Sequence, residues 1–274
     1  VVNLFYGFIT APSNLPAKFT QKNGDEEFVK NGLQKAWHAV GGFEVDLSKK
    51  LTLNLEGYFK YFNQMTNVNR NKIFEDNIEN SEVDDLFKKD FIVESGIAWG
   101  GDVVLTYKSK NLYLWGAYSL GKVTRWDGFV EYAPVFDRRH NINLIATYKW
   151  GKKDSWEVSA RWNLGTGLPF KQTTGVFEEP EITSIDGDYT TGNANDLTFV
   201  YEDINTGRLP TYHRLDINVK KEIEFKDKKY MKLELIAGVT NVYSRENIFY
   251  VNRVTNEKVN QLPIMPSVAI NFKF

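Results

Sequence analysis

Apolar and polar residues alternate with a period of two through most of the chain. Between residues 51 and 62, Leu51, Leu53, Leu55, Gly57, Phe59 and Tyr61 fall on one face, and Thr52, Asn54, Glu56, Tyr58 and Lys60 on the other. The pattern returns in Trp156, Val158, Ala160, Trp162 and Leu164 against Glu157, Ser159, Arg161 and Asn163, and in Leu215, Ile217 and Val219 against Arg214, Asp216, Asn218 and Lys220. It closes the chain as Leu262, Ile264, Pro266, Val268, Ile270, Phe272 and Phe274 against Ser267, Ala269, Asn271 and Lys273. Alternation sustained over about nine residues signals a strand, and a longer one than the ~5 to 6 residues usual in soluble sheets. It predicts ten strands, at residues 1–10, 34–47, 51–65, 95–108, 111–125, 139–150, 155–167, 211–225, 230–243 and 261–274. No helical period of comparable strength occurs, although the acidic stretch 76–90 has room for a short helix within a loop.

The connections sort into two kinds that alternate without exception. Tight polar turns, Ser48-Lys49-Lys50, Ser109-Lys110, Gly151-Lys152-Lys153-Asp154 and Lys226-Asp227-Lys228-Lys229, are interleaved with long links at 11–33, 66–94, 126–138, 168–210 and 244–260. Soluble sandwiches have no reason to sort loops in this way, whereas an outer-membrane barrel has short periplasmic turns and long outer loops. Each apolar face is long enough to cross a hydrocarbon layer, about 9 to 11 residues at the usual tilt. The opposite faces carry Glu, Asp, Arg, Asn and Lys, which suit a wet lumen and would be costly in a sandwich interior. Aromatic residues bracket the turns as expected of an interfacial girdle: Trp150 with Trp156, Tyr107 with Tyr113, Phe225 with Tyr230. The expected fold is all-β, a portion of an antiparallel transmembrane β-barrel with about ten long strands.

Composition narrows the function. The 274 residues include 34 basic and 35 acidic side chains, for a net charge of -1, so no basic footprint points to nucleic acid. With no cysteine, disulfides, thiolate catalysis and cysteine-based zinc sites are excluded. Mean hydropathy is -0.41 and no apolar run of about 18 residues offers a membrane helix. Val1 opens directly onto strand-like sequence, without a basic stretch and apolar core of the signal-peptide kind. The 15% aromatic content of so polar a chain is then accounted for by two girdles and a lipid-facing stripe.

Several strand ends carry a family resemblance. Arg208-Leu209-Pro210-Thr211-Tyr212-His213-Arg214-Leu215-Asp216 leads into a strand after the longest link, followed by Gly238-Val239-Thr240-Asn241-Val242-Tyr243 and by Leu262-Pro263 through Phe272-Lys273-Phe274. Upstream stand Asp137-Arg138-Arg139-His140 before Asn141-Ile142-Asn143, and Gly165-Thr166-Gly167-Leu168-Pro169. Over about the last 150 residues of the chain, their order and spacing resemble the C-terminal part of the barrel of TonB-dependent outer-membrane transporters; residues 1–125 match in style only. The closing Asn271-Phe272-Lys273-Phe274 resembles the terminal strand of outer-membrane proteins, which ends at the periplasmic rim and so puts every long link outside.

The resemblance implies a barrel of about 22 strands, a plug domain and a segment contacting TonB. At this length such a barrel would leave about 12 residues for each strand and its link, too few for a crossing. Residues 1–274 are therefore expected to be the C-terminal portion of one barrel. The implied function is active uptake of a scarce nutrient, a chelate, glycan or peptide, across the outer membrane. Its implied partners are the remaining strands and plug, TonB, a surface lipoprotein and membrane lipid, with no cofactor and no covalent chemistry. The alternative is a self-contained ten-stranded barrel acting as a surface protease or adhesin, recognisable by pairing of the first strand with the last.

Candidate sites follow from position. Lys122, Arg125, Trp126, Asp137, Arg138, Phe170, Tyr189, Phe199 and Tyr201 lie near outer strand ends or on long links, where aromatic and charged groups suit ligand capture or a lipopolysaccharide-facing surface. His38, His140 and His213 each begin a strand at one rim, but strands about 4.8 Å apart place even His140 and His213 roughly 10 Å from each other, too far for one metal. A protease would need Asp and His facing each other across the mouth; Asp137 with His140 and Asp216 with His213 are near in sequence, but neighbouring residues supply no water-activating arrangement by themselves. The segment 186–196 has the composition of a calcium loop but lacks the bidentate glutamate, and is expected to be a polar loop crown. Gly165-Thr166-Gly167 has neither the helix nor the lysine of a phosphate cradle.

Overall fold

The computed structural model describes residues 2–12, 18–20, 26–28, 33–178, 197–225, 231–252 and 257–274. Ten long strands form: β1 (Val2–Pro12), β2 (Leu33–Ser48), β3 (Leu51–Val68), β4 (Phe91–Lys108), β5 (Leu112–Trp126), β6 (His140–Trp150), β7 (Trp156–Gly165), β8 (Tyr212–Glu224), β9 (Lys232–Thr240) and β10 (Met265–Lys273). Each pairs antiparallel with its neighbour in sequence, giving one up-and-down sheet in the order β1 to β10. The predicted alternation of connections holds, with short periplasmic turns at one end and long extracellular loops at the other. β3 and β4 run past their expected limits to Val68 and from Phe91, so this hairpin stands above its neighbours. β9 stops at Thr240, earlier than the alternation suggests, because Asn241 adopts a left-handed φ of 54° and turns the chain. Within the acidic loop the expected helix is the single turn Asp85–Lys88, whose N-cap Asp84 accepts a hydrogen bond from the Leu86 amide.

Register keeps the two faces continuous across strands. Phe43, Leu55, Val103, Tyr118, Ile142 and Leu164 are successive partners in one row, and Gly42, Glu56, Asp102, Ser119, Asn141 and Gly165 in the next. A slip of one residue between any two strands would put carboxylates into the hydrocarbon, so the alternation that predicts the strands also fixes their pairing. Among the described residues the buried apolar side chains are few, Ala36, Met65, Ile92, Ala98 and Tyr132, whereas Phe43, Trp99, Leu105, Leu144 and Val268 are exposed. No closed apolar core exists here; the lipid-facing side takes its place.

Aromatic pairs mark the short-turn end of the lipid face: Trp150 stacks on Trp156 at 6.0 Å and on Tyr148 at 6.0 Å, and Phe225 meets Phe272 at 6.4 Å. From Trp156 to Leu164 the strand rises about 21 Å, at ~3.4 Å per residue and a ~40° tilt, close to the apolar band of such barrels. One expected girdle residue departs: Tyr113 pairs with Lys108 while Tyr107 pairs with Leu114, so Tyr113 lies on the polar face. Tyr230 is outside the described residues.

β1 and β10 lie at opposite edges of the sheet and do not pair with each other. A ten-stranded barrel closed on itself requires that pairing, and the self-contained alternative fails on this point. Inside, the ring of Tyr58 lies flat across two neighbouring strands, over Gly100 and Gly121. A Cβ at Gly100 would meet the Leu120 carbonyl and stand 2.5 Å from the Tyr58 hydroxyl. Gly100→Val is expected to destabilise the assembled barrel by about 2 kcal/mol through overpacking, read as a lower heat-modification temperature on gels; Gly101→Val, with a nearest contact of 3.2 Å, is the milder control.

Candidate functional site

The most deeply buried side chains of the described residues are polar. Glu94, Asp137 and Asn241 have 1%, 1% and 0% exposure, and all three stand where outer strand ends meet long loops. Because a buried polar group is costly unless satisfied, each has gathered a set of partners, and together they define the architecture of the outer rim.

The first cluster joins β3, β4 and β5. Glu94 Oε1 accepts from Asn67 Nδ2 at 3.0 Å, both its oxygens lie 2.9 Å from the donating Tyr132 hydroxyl, and Arg125 Nη1 stands 3.5 Å from Oε2. Arg70 donates to the Tyr132 hydroxyl at 3.2 Å and lies over its ring at 4.7 Å. Two arginines around one carboxylate and one phenol fix the loop after β5 against the hairpin β3–β4. That loop is packed further by Phe87 against Phe129, 5.5 Å between rings, while Asn69 donates to the Leu86 and Lys89 carbonyls at 2.7 Å each. Lys72, on the loop between β3 and β4, donates to Asp90 at 2.7 Å, a hydrogen bond that raises its pKa. Tyr132→Phe removes the shared hydroxyl and leaves Glu94 with fewer donors; we expect a loss of about 2 kcal/mol and faster tryptic cleavage at Lys72, Lys88 and Lys89.

The second cluster brings together three sequence motifs that are far apart in the chain. Asp137 accepts from the Val123 amide at 2.8 Å, is ion-paired with Arg208, and stands 3.6 Å from Arg139 Nη2. Arg208 also donates to the carbonyls of Asp137 and Gly167 at 2.9 and 3.3 Å. The Arg138 guanidinium lies against Gly165 and 6.0 Å from the Tyr212 ring. At Gly167 the Leu209 backbone approaches so closely that a Cβ would overlap its carbonyl. The Asp-Arg-Arg-His, Gly-Thr-Gly-Leu-Pro and Arg-Leu-Pro stretches are thus one clasp.

The third cluster closes the turn after β9. Asp216 accepts from the Asn241 amide at 2.9 Å and is held by Arg214 at 2.9 Å; Asn241 Nδ2 donates to the Arg245 and Leu262 carbonyls at 2.9 and 3.1 Å, and its Oδ1 accepts from the Arg245 amide at 3.0 Å. Asn247 pairs with both backbone groups of His213, in place of a missing strand neighbour.

The candidate residues fall as follows. Arg125 belongs to the first cluster, with its guanidinium also 5.6 Å from the Phe136 ring. Asp137 and Arg138 belong to the clasp, where Asp137 is 1% exposed and engaged by the Val123 amide, Arg208 and Arg139. Lys122 pairs in register with Trp99, on the lipid-facing side. Trp126 ends β5 and is 46% exposed. Phe170 pairs with Gly207 in a small hairpin, and Phe199 and Tyr201 lie in the strand Leu197–Tyr201, paired with Thr173–Glu178. The side chains of Phe199 and Tyr201, together with Tyr189 and the segment 186–196, lie outside the described residues. Strand-end position does not single out Glu94, Tyr132, Arg208 or Asn241; Arg208 and Asn241 stand within the family-like motifs, whereas nothing local marks Glu94 or Tyr132. Exposed aromatic groups remaining at this end include Phe136, Phe249 and Tyr250.

The histidines do not converge. His140 and His213 are on the lipid face, hydrogen-bonded to Tyr118 and Tyr243 at 2.8 and 2.7 Å, whereas His38 pairs with Lys60 on the polar face. Asp137 and Asp216 turn to arginines rather than to the histidines near them in sequence.

No family profile matches the sequence, and no curated protein is similar to it. Solved structures are similar in fold. The chain superposes on Pseudomonas aeruginosa FpvA, a receptor bound to heterologous pyoverdines, with a TM-score of 0.65 and 10% identity over 100% of this chain and 31% of that one. For the ferric preacinetobactin receptor BauA of Acinetobacter baumannii the values are 0.58 and 13%, over 100% and 34%. For the copper transporter OprC they are 0.58 and 15%, over 100% and 37%. The chain therefore spans about a third of the length of the receptors it matches. Its fold is that of part of the β-barrel of the TonB-dependent outer-membrane receptors.

Proposed function

We propose that residues 1–274 form the C-terminal barrel wall and outer loops of a TonB-dependent active transporter that takes up a scarce nutrient across the outer membrane. The observation that carries this reading is the open ten-stranded sheet, unpaired at both edges, superposing in full on about a third of each receptor. In this reading further strands of the same barrel pair with β1 and β10. A plug fills the polar face, TonB supplies the energy through the plug, and the loops held by the three clusters capture ligand outside. The chain itself carries out no covalent step; its clusters position the loops, and its exposed aromatic groups offer ligand contacts. A surface lipoprotein is a further partner in this scheme. Among chelate, glycan and peptide, a chelated metal is the first ligand to test, because the receptors of similar fold are named for ferric pyoverdine, ferric preacinetobactin and copper.

The test is uptake of radioiron, supplied as ferric citrate and as a ferric catecholate, by iron-starved cells with and without the receptor and with and without TonB. Uptake that needs both is the expected result. Uptake of iron, copper, oligosaccharides and oligopeptides that is unchanged by loss of the receptor would overturn the reading.

A further inference from the structure

Charge is distributed unevenly along the barrel axis. The long links 66–94 and 168–210 hold eight acidic residues each, against four and two basic ones; the four short turns hold eight lysines against two aspartates. At the short-turn end Lys49, Lys50, Lys110 and Lys152 are exposed, and none forms an ion pair among the described residues. The polar wall above them treats its lysines differently: Lys149 and Lys220 bracket Glu157 at 3.3 and 3.2 Å, Lys232 reaches Glu222 at 2.7 Å, and Lys273 reaches Glu234 at 2.7 Å. These wall lysines are neutralised by the chain's own glutamates, whereas among the described residues of the short turns Lys153 is paired with Glu224 and Lys49, Lys50, Lys110 and Lys152 are not paired.

The first three turns form one continuous edge. The Lys108 amide donates to the Lys50 carbonyl at 2.8 Å, and the Lys149 amide to the Asn111 carbonyl at 2.8 Å. Asn111 Nδ2 reaches back to the Lys149 carbonyl and to Asp154 at 2.9 and 3.2 Å. Immediately above this edge, on the lipid face, is the aromatic girdle of Tyr148, Trp150 and Trp156. Lys221 lies over the Trp156 ring at 4.6 Å and donates to Ser155 Oγ at 3.0 Å, so its stem is in the apolar band and its ammonium reaches the rim. Free ammonium groups directly below an interfacial aromatic belt stand at the height of lipid headgroups.

We infer that the short-turn rim is an anionic-phospholipid binding surface, at which these lysines engage headgroup phosphates of the periplasmic leaflet. The inference rests on the barrel reading proposed above. It gives the assembled receptor an annulus enriched in acidic lipid on one side of the membrane only, since the opposite end is acidic and repels such headgroups.

The test uses the full receptor in phosphatidylcholine nanodiscs carrying spin-labelled phosphatidylglycerol or spin-labelled phosphatidylcholine, with motionally restricted lipid measured by electron paramagnetic resonance. The expected preference for phosphatidylglycerol is roughly tenfold at low salt and weakens as salt rises. It falls to near unity in the variant with Lys49, Lys50, Lys110 and Lys152 all changed to Gln, and persists when all four are changed to Arg. Restricted lipid with no such preference in the wild type, or a preference kept by the Gln variant, would overturn the rim assignment alone. Absence of any restricted lipid would overturn the barrel reading and this assignment with it. Binding of soluble polyglutamate without lipid preference would assign the rim to an acidic protein and overturn the lipid assignment.

Discussion

Asn241→Ala is expected to destabilise the outer end of β8–β10 by about 4 kcal/mol, the largest single effect on this chain. The side chain is wholly buried and makes three hydrogen bonds to backbone groups of Arg245 and Leu262. Its removal leaves two carbonyls and one amide without their partner, at about 1 to 3 kcal/mol for a buried orphan. Alanine also tolerates the left-handed φ of 54° less well than asparagine, by about 1 kcal/mol. Two further substitutions separate these contributions. Asn241→Gly keeps the backbone conformation and loses the hydrogen bonds; Asn241→Asp keeps the acceptor for the Arg245 amide and loses both donors. The ranking expected from heat-modification temperatures of the full receptor is wild type, then Asp, then Gly, then Ala. Equal temperatures for Ala and wild type would show that the turn is held by the backbone alone.

Arg208→Ala is expected to release the long extracellular hairpin from the rim. Asp137 is 1% exposed and would keep its charge with only the Val123 amide and the more distant Arg139 for company. Breaking a buried pair in this way costs about 3 to 5 kcal/mol, and the lower end applies here because the Arg208 side chain is 37% exposed. The readout is limited trypsinolysis at Lys171, at the foot of the hairpin, where cleavage should accelerate by at least about tenfold for a local loss of 1.4 kcal/mol or more that reaches the loop. The double variant Asp137→Asn with Arg208→Ala should recover part of the loss, since no buried charge remains. Unchanged cleavage in the single variant would show that the Gly167–Leu209 contact holds the clasp without the ion pair.

Much of this fold can be read along the chain because a transmembrane barrel writes its geometry into a period of two. Leu53, Leu55 and Phe59 announce a lipid face, and Asn54, Glu56 and Lys60 a wet one, with no knowledge of the neighbouring strand. Loop sorting adds the orientation. Strand limits are less legible where a loop folds onto the strand: β3 and β4 continue to Val68 and from Phe91 because the loop between them packs on its own outer end. Tyr113 and His38 illustrate a second limit. Proximity to a turn suggests a shared rim, but the face of a residue depends on how many residues the turn contains, and one step of parity sends Tyr113 inward and His38 away from His140.

The outer clusters mark a third limit. Asp137, Arg138 and Arg208 are visible as motif residues, yet their association spans 71 positions between Asp137 and Arg208 and depends on the register of two intervening strands, β6 and β7. Glu94 and Tyr132, 38 positions apart, carry no local signal at all. A carboxylate at a strand end reads as a solvent-facing group until a loop covers it.

By itself the sequence determined the number of strands, the face of each residue within a strand, the side of the membrane on which the long loops lie, and the charge contrast between the two ends, because all of these are set by local alternation and composition. Only the tertiary structure decided that the sheet stays open between β1 and β10, that Asp137 is buried against Arg208 and the Val123 amide, and that Glu94, Arg208 and Asn241 tie loops to strand ends. Those outcomes depend on which distant groups register brings within hydrogen-bonding distance, and on the cost of leaving any of them buried without a partner.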